Sequence, residues 1–130
     1  MALIVVDASV VIGFLDADDE HHEAAVAALD ASAADELVLP ATAYAEVLVA
    51  PARRGSEAVD GVDEALSALT VQLEPVTPAI ARSAAVLRAR HRSLRLPDAL
   101  VLATADVLGA AKVLTAHRAW SRISRKVRVI

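Results

Sequence analysis

The chain has 130 residues, enough for one hydrophobic core and too few for two independent ones. Its 56% hydrophobic content and mean hydropathy of +0.48 exclude a disordered chain. Phe14, Tyr44 and Trp120 are its only aromatic residues, which argues against a nucleic-acid reader that stacks bases over several aromatic platforms. The net charge of −4 hides an asymmetry: residues 1–79 carry Arg53 and Arg54 against 15 acids, and residues 80–130 carry 11 basic residues against Asp98 and Asp106. With no cysteine, disulfides, thiolate zinc sites and a cysteine nucleophile are excluded.

In chain order, Leu3-Ile4-Val5-Val6 is too short and too β-branched for a helix and reads as a buried strand ending at Asp7. A helix is expected from Ser9 to about Ala17, and a second from Glu20 to Ala33. Leu37-Val38-Leu39 reads as a strand stopped by Pro40. Thr42–Arg54 is a helix closed by Gly55, and Ser56 to about Leu69 an amphipathic one. Val71–Leu73 is a weak strand. Thr77-Pro78 is a capped start for a helix reaching His91, and Pro97 opens a helix that ends at Gly109. Lys112–Thr115 is a strand, and Val127–Val129 a last edge strand.

Strands alternating with helices imply a parallel sheet of four to five strands covered on both faces, a three-layer α/β/α domain spanning residues 1–130. Ligands of such sheets bind outside the carboxyl ends of the strands, where Asp7 sits. No uncharged apolar stretch approaches the roughly 18 residues needed to cross a bilayer. No basic stretch precedes the first apolar run. A soluble, cytoplasmic protein with no membrane partner is the expectation.

Most of the 17 carboxylates fall in polar connections or on polar helix faces. Asp7, Glu46 and Asp98 differ, because each interrupts an apolar run. Taken singly, Asp7 reads as a cap for the helix at Ser9, Glu46 as an acid reaching a helix surface, and Asp98 as a complement to a helix dipole. Three ionised acids in apolar surroundings, at a strand end and on helices that follow strands, point together to a shared cation. Carboxylates without His or Cys favour a hard ion, Mg²⁺ or Mn²⁺, over Zn²⁺. His21 and His22 are adjacent and point about 100° apart on a helix, so they read as a helix start. His91 lies among Arg88, Arg90, Arg92 and Arg95 and reads as part of an exposed basic face.

Val5-Val6-Asp7-Ala8-Ser9-Val10-Val11, Glu46 on the third helix, Leu96-Pro97-Asp98-Ala99 and Val113-Leu114-Thr115-Ala116 together resemble the PIN domain. More narrowly, they resemble the VapC ribonuclease toxins of toxin–antitoxin pairs. The likeness runs through the whole chain in order and spacing. It implies an α/β/α fold, a Mg²⁺- or Mn²⁺-dependent endoribonuclease, a homodimer, and a cognate VapB-type antitoxin that holds the enzyme inactive. By position, Asp7, Glu46 and Asp98 are the implied metal and catalytic acids, and Ser9 the hydroxyl that supports the first of them.

The chain departs from the family at one place. Where the pattern Thr-x-Asp supplies another acid, it reads Thr115-Ala116-His117. Three roles are open to His117: a neutral metal ligand, a hydrogen-bond donor to phosphate, or none. Asp106 is a poor substitute, since eight helical residues after Asp98 place it about 12 Å along the axis and about 80° around it. The basic second half supplies candidates for an RNA phosphate track, Arg88, Arg92, Arg95 and Arg118, with Arg122 and Arg125 beside them. The expected chemistry is hydrolysis of an RNA phosphodiester bond. The alternative is a catalytically weak module acting through antitoxin or RNA binding. A dehalogenase-like phosphatase fits poorly, because the residue two after Asp7 is Ser9. A receiver domain fits poorly too, because Lys112 precedes its strand instead of following it.

Overall fold

The branched runs pair side by side in one parallel sheet in the computed structural model, which describes residues 1–130. Strand β1 (Leu3–Val6) lies between β2 (Glu36–Pro40) and β4 (Lys112–Thr115); β3 (Val71–Glu74) flanks β2, and β5 (Val127–Val129) flanks β4. The order is therefore β3-β2-β1-β4-β5. Burial follows position: Ile4–Val6, Leu37–Pro40 and Val113–Thr115 are buried, whereas β3 and most of β5 are not. Central parallel strands are covered on both faces, so continuous apolar runs belong there and mixed runs at the edges.

Six helices connect the strands: α1 (Ala8–Leu15), α2 (His22–Ala31), α3 (Ala41–Arg54), α4 (Ser56–Ala68), α5 (Pro78–Arg90) and α6 (Leu96–Leu108). The path steps from β1 to β2 to β3 in one direction, then returns across the sheet to β4. With right-handed crossovers, that reversal puts α5 and α6 on the face opposite the earlier helices, the three-layer arrangement expected of the pattern. Eight of the 28 residues in the core cluster are alanine, so small side chains let helices lie close on the sheet. No helix is long and apolar enough to cross a membrane.

Three helix ends fall two residues inside the expected ones, each for a local reason; α2 ends at Ala31, where the Ser32 hydroxyl donates to the Ala28 carbonyl. Helix α1 stops at Leu15 because the Asp16 carboxylate accepts from the Asp18 N–H and turns the chain. Helix α2 starts at His22, after the Asp19 carboxylate has accepted the His21 N–H at 2.8 Å. Short acidic side chains that bond nearby backbone in this way favour turns over helix. Thr77 caps α5 as expected, its hydroxyl accepting from the Ile80 N–H. Gly109 closes α6 with φ +65°, and the Ala110 N–H reaches back to the Ala105 carbonyl.

Candidate functional site

The strand order reverses between β1 and β4, and the carboxyl ends of those two strands form the floor of the site. Such a reversal leaves a crevice, because the chain leaves the two strands toward opposite faces. Asp7 follows β1 directly and extends its ladder, donating its N–H to the Leu114 carbonyl at 2.9 Å. Its side chain is buried and makes no helix-cap bond, so the capping role open to it in the sequence is not the one it plays.

Instead, one carboxylate oxygen of Asp7 accepts from two hydroxyls, Ser9 at 2.7 Å and Thr115 at 3.0 Å. Each hydroxyl accepts in turn from the backbone leaving β4: Ala116 N–H donates to Ser9 Oγ at 3.0 Å, and His117 N–H to Thr115 Oγ1 at 3.1 Å. A hydroxyl can donate and accept at once, which no aliphatic replacement of similar shape can do. Two parallel relays therefore tie the end of β1 to the exit of β4 and hold the carboxylate in one orientation.

Asp98 lies in the first turn of α6, with Arg95 Nε 3.6 Å from its carboxylate. Glu46 projects from α3 and is exposed, so the apolar letters around it did not signal burial. Its carboxyl is pushed above the usual carboxylate range, first by partial desolvation and then by the negative charges of Asp7 and Asp98, with Arg95 and His117 pulling the other way. Glu46 thus feels the charge of both other acids singled out in the sequence. No three His, Cys, Asp or Glu side chains stand close enough to enclose an ion in these rotamers.

His117 stands beside Asp7, with Nε2 3.6 Å from the oxygen that the hydroxyls share. Asp106 belongs elsewhere: it pairs with Lys126 at 3.7 Å on the far part of α6. Of the candidate phosphate contacts, Arg95 adjoins Asp98, and Arg118 lines a cleft of about 410 Å³ that also includes Asp98, His117 and Arg122. Arg88 and Arg92 are exposed but do not line that cleft, and Arg125 does not either. His91 does line it. Reading His91 as surface missed this, although its place in the loop before Leu96-Pro97-Asp98 was a usable signal.

Thr42 was not singled out in the sequence. Its hydroxyl is buried with no hydrogen-bond partner, and it lies one turn before Glu46 on the same face of α3. The adjacent pair His21 and His22 is structural: the His22 ring bonds the Gly13 carbonyl at 2.7 Å and joins α2 to α1.

A family model described as PIN domain matches residues 4–126. No curated protein gives a significant match. Among solved structures, a toxin–antitoxin complex from Klebsiella pneumoniae aligns with a TM-score of 0.80 at 24% identity, covering 97% of this chain and 96% of that one. Mycobacterium tuberculosis VapC20, described as a toxin cleaving the sarcin–ricin loop, aligns at 0.77 and 22%, covering 93% and 95%. VapBC2 from Rickettsia felis, solved on a promoter DNA fragment, aligns at 0.75 and 11%, covering 98% of each chain. At these identities the structural likeness speaks for the fold.

Proposed function

The chain belongs to the PIN domain family, and from that premise we propose that it is a divalent-metal-dependent endoribonuclease of the VapC toxin type. The observation that carries this reading is geometric: Asp7, clamped by Ser9 and Thr115, stands where the strand order reverses, and Glu46 is raised first by its own desolvation and then by the negative charges of Asp7 and Asp98. Like charges gathered beside a crevice are costly unless something positive joins them. Arg95 and His117 offset only part of that charge.

The donor set fits a hard cation. It consists of carboxylate oxygens without a thiolate, the ligand chemistry that favours Mg²⁺ or Mn²⁺. Asp7, Glu46 and Asp98 would hold Mg²⁺ or Mn²⁺, which supplies Lewis acidity toward a phosphodiester oxygen and an acidified water. The other residues orient and attract. Ser9 and Thr115 fix the Asp7 carboxylate, Arg95 balances Asp98, and Arg118 with Arg122 draws the phosphate backbone toward the acids. A solvated acidic site alone would repel RNA, so these cations are needed for encounter.

The proposal extends to a VapB-type antitoxin, in line with the toxin–antitoxin and VapBC complexes among the fold neighbours, and to a homodimer as the working unit. A groove of about 440 Å³ lined by Ile12, Leu15, Val47, Pro51 and Val62 together with Asp16, Glu46 and Arg54 offers a mixed apolar and charged surface on which such an inhibitor would reach Glu46. A second reading has one observation in its favour, His117 in place of the last acid of the pattern. On that reading the chain binds antitoxin or RNA and cuts weakly.

The deciding experiment incubates purified protein with structured RNA and Mg²⁺ or Mn²⁺, with EDTA and Asp7→Asn as controls, and maps the new 5′ ends. Cleavage in the first arm alone supports the proposal. Cleavage that persists in both controls overturns the metal–carboxylate reading, and undetectable metal affinity in the purified protein favours the second.

A further inference from the structure

His117 is held as a flat ring, by contacts that do not include a strong bond to Asp7. Its imidazole lies against the indole of Trp120, with ring centroids 5.0 Å apart and planes 27° apart. Trp120 is 3% exposed, so the indole is a fixed backing, while the His117 side chain is 50% exposed. One face of the imidazole is therefore covered and the other is open. The 3.6 Å separation from Asp7 is longer than a charge-assisted hydrogen bond, so stacking on Trp120 and the backbone bond to Thr115 set the ring's position.

The open side borders the cleft of about 410 Å³ shared with His91, Ser93, Asp98, Arg118 and Arg122. That cleft combines a rigid π face, two guanidinium groups and direct continuity with the carboxylates through Asp98. A flat neutral group and a phosphate, joined at short range, match it. An aspartate at position 117, as in the Thr-x-Asp pattern, would offer no face to stack on and would add negative charge where a phosphate has to pass.

We propose that this cleft is the subsite for a nucleotide flanking the cleaved phosphate, its base stacked on the open face of His117 and its phosphate paired with Arg118 or Arg122. The proposal rests on the ribonuclease reading above and names how that site positions its substrate. It makes His117 a binding residue, and it requires only one platform, in keeping with a chain that has three aromatic residues. Stacking of this kind is tolerant of base identity, since every base has a π face.

The test measures binding of a labelled short single-stranded RNA by fluorescence anisotropy, with Ca²⁺ replacing Mg²⁺ to suppress cutting. A companion set of RNAs carries one abasic nucleotide at each position in turn. His117→Ala should raise Kd by about ten-fold, and His117→Phe should stay within about three-fold of the unaltered protein. One abasic position should cost the unaltered protein a similar factor and cost His117→Ala nothing further, the non-additivity expected of two groups in contact. Thermal midpoints of both variants check that the fold is intact. His117→Phe binding as weakly as His117→Ala, or abasic losses that add to His117→Ala at every position, overturns the subsite and leaves the ribonuclease reading standing. An unaltered protein that neither binds nor cuts RNA overturns both.

Discussion

At the scale of single residues, Asp7 is defined by what its neighbours donate. Thr115 is fully buried, and its hydroxyl serves both the Asp7 carboxylate and the His117 N–H. Thr115→Val keeps the shape and removes both bonds. It should cost about 1–2 kcal/mol in urea unfolding, because a part-buried N–H loses its partner and the buried carboxylate loses one of its two. Metal affinity should fall about 10- to 100-fold by calorimetric titration, as when the group orienting a ligand is removed. Asp7→Asn removes the charge itself and should lower cleavage by about 10²- to 10³-fold, a loss of several kcal/mol of charge stabilisation.

Glu46 gives a pH-dependent prediction. Its carboxyl is raised in the folded, metal-free protein, so unfolding releases a proton between its unfolded and folded pKa values. Below the ordinary carboxylate range the group is protonated in both states and contributes nothing. As pH rises through that range toward the folded value, the ionised form weakens the native state, and the loss levels off above it. Glu46→Gln should therefore leave the metal-free thermal midpoint unchanged at acid pH and raise it by about 1–4 °C at neutral pH. An equal gain at both pH values would show that ionisation of Glu46 is not the cause.

At the scale of elements, the site depends on how accurately β4 is delivered beside β1. The turn between α6 and β4 does this through Gly109, whose φ of +65° suits a residue without Cβ, and through the Ala110 N–H bond to Ala105. Nothing crowds a Cβ placed there, so Gly109→Ala isolates the backbone term. It should lower stability by about 1–2 kcal/mol, read as a lower denaturation midpoint with unchanged slope. The same elements show where sequence patterns hold. Ile4–Val6, Leu37–Leu39 and Val113–Leu114 were legible as buried strands because burial on both faces demands unbroken apolar runs. The end of α1 and the start of α2 were less legible, because one Asp side chain choosing a nearby N–H moved each boundary.

At the scale of the whole molecule, charge separation is the organising feature. Asp7 sits at the sheet's carboxyl edge, Glu46 feels its charge and that of Asp98, and Arg95, Arg118 and Arg122 of the basic half stand beside Asp98. RNA affinity should fall steeply with salt, and Arg118→Ala should reduce the slope of log K against log salt by about 0.7, the value for one contact to a single strand. Arg88→Ala, away from the cleft, should leave the slope nearly unchanged. Mn²⁺ should raise the thermal midpoint in a concentration-dependent, EDTA-reversible way, because a ligand that binds only the folded state stabilises it. The same titration with Asp7→Asn should show little or no shift.

The amino-acid sequence by itself determined the alternation of strands and helices, the parallel sheet, and the three acids. All of these follow from local pattern: runs that must be buried on both faces, and charges that interrupt them. It also carried the ordered motifs that resemble the PIN domain. Tertiary structure alone decided the rest, because the rest is distance. Only folding brings Thr115 within 3.0 Å of Asp7, 108 residues away, and puts His117 rather than Asp106 beside it. Only folding sorts the arginines into those that line the cleft and those that face elsewhere, since composition records how many charges a chain has and packing decides which of them meet.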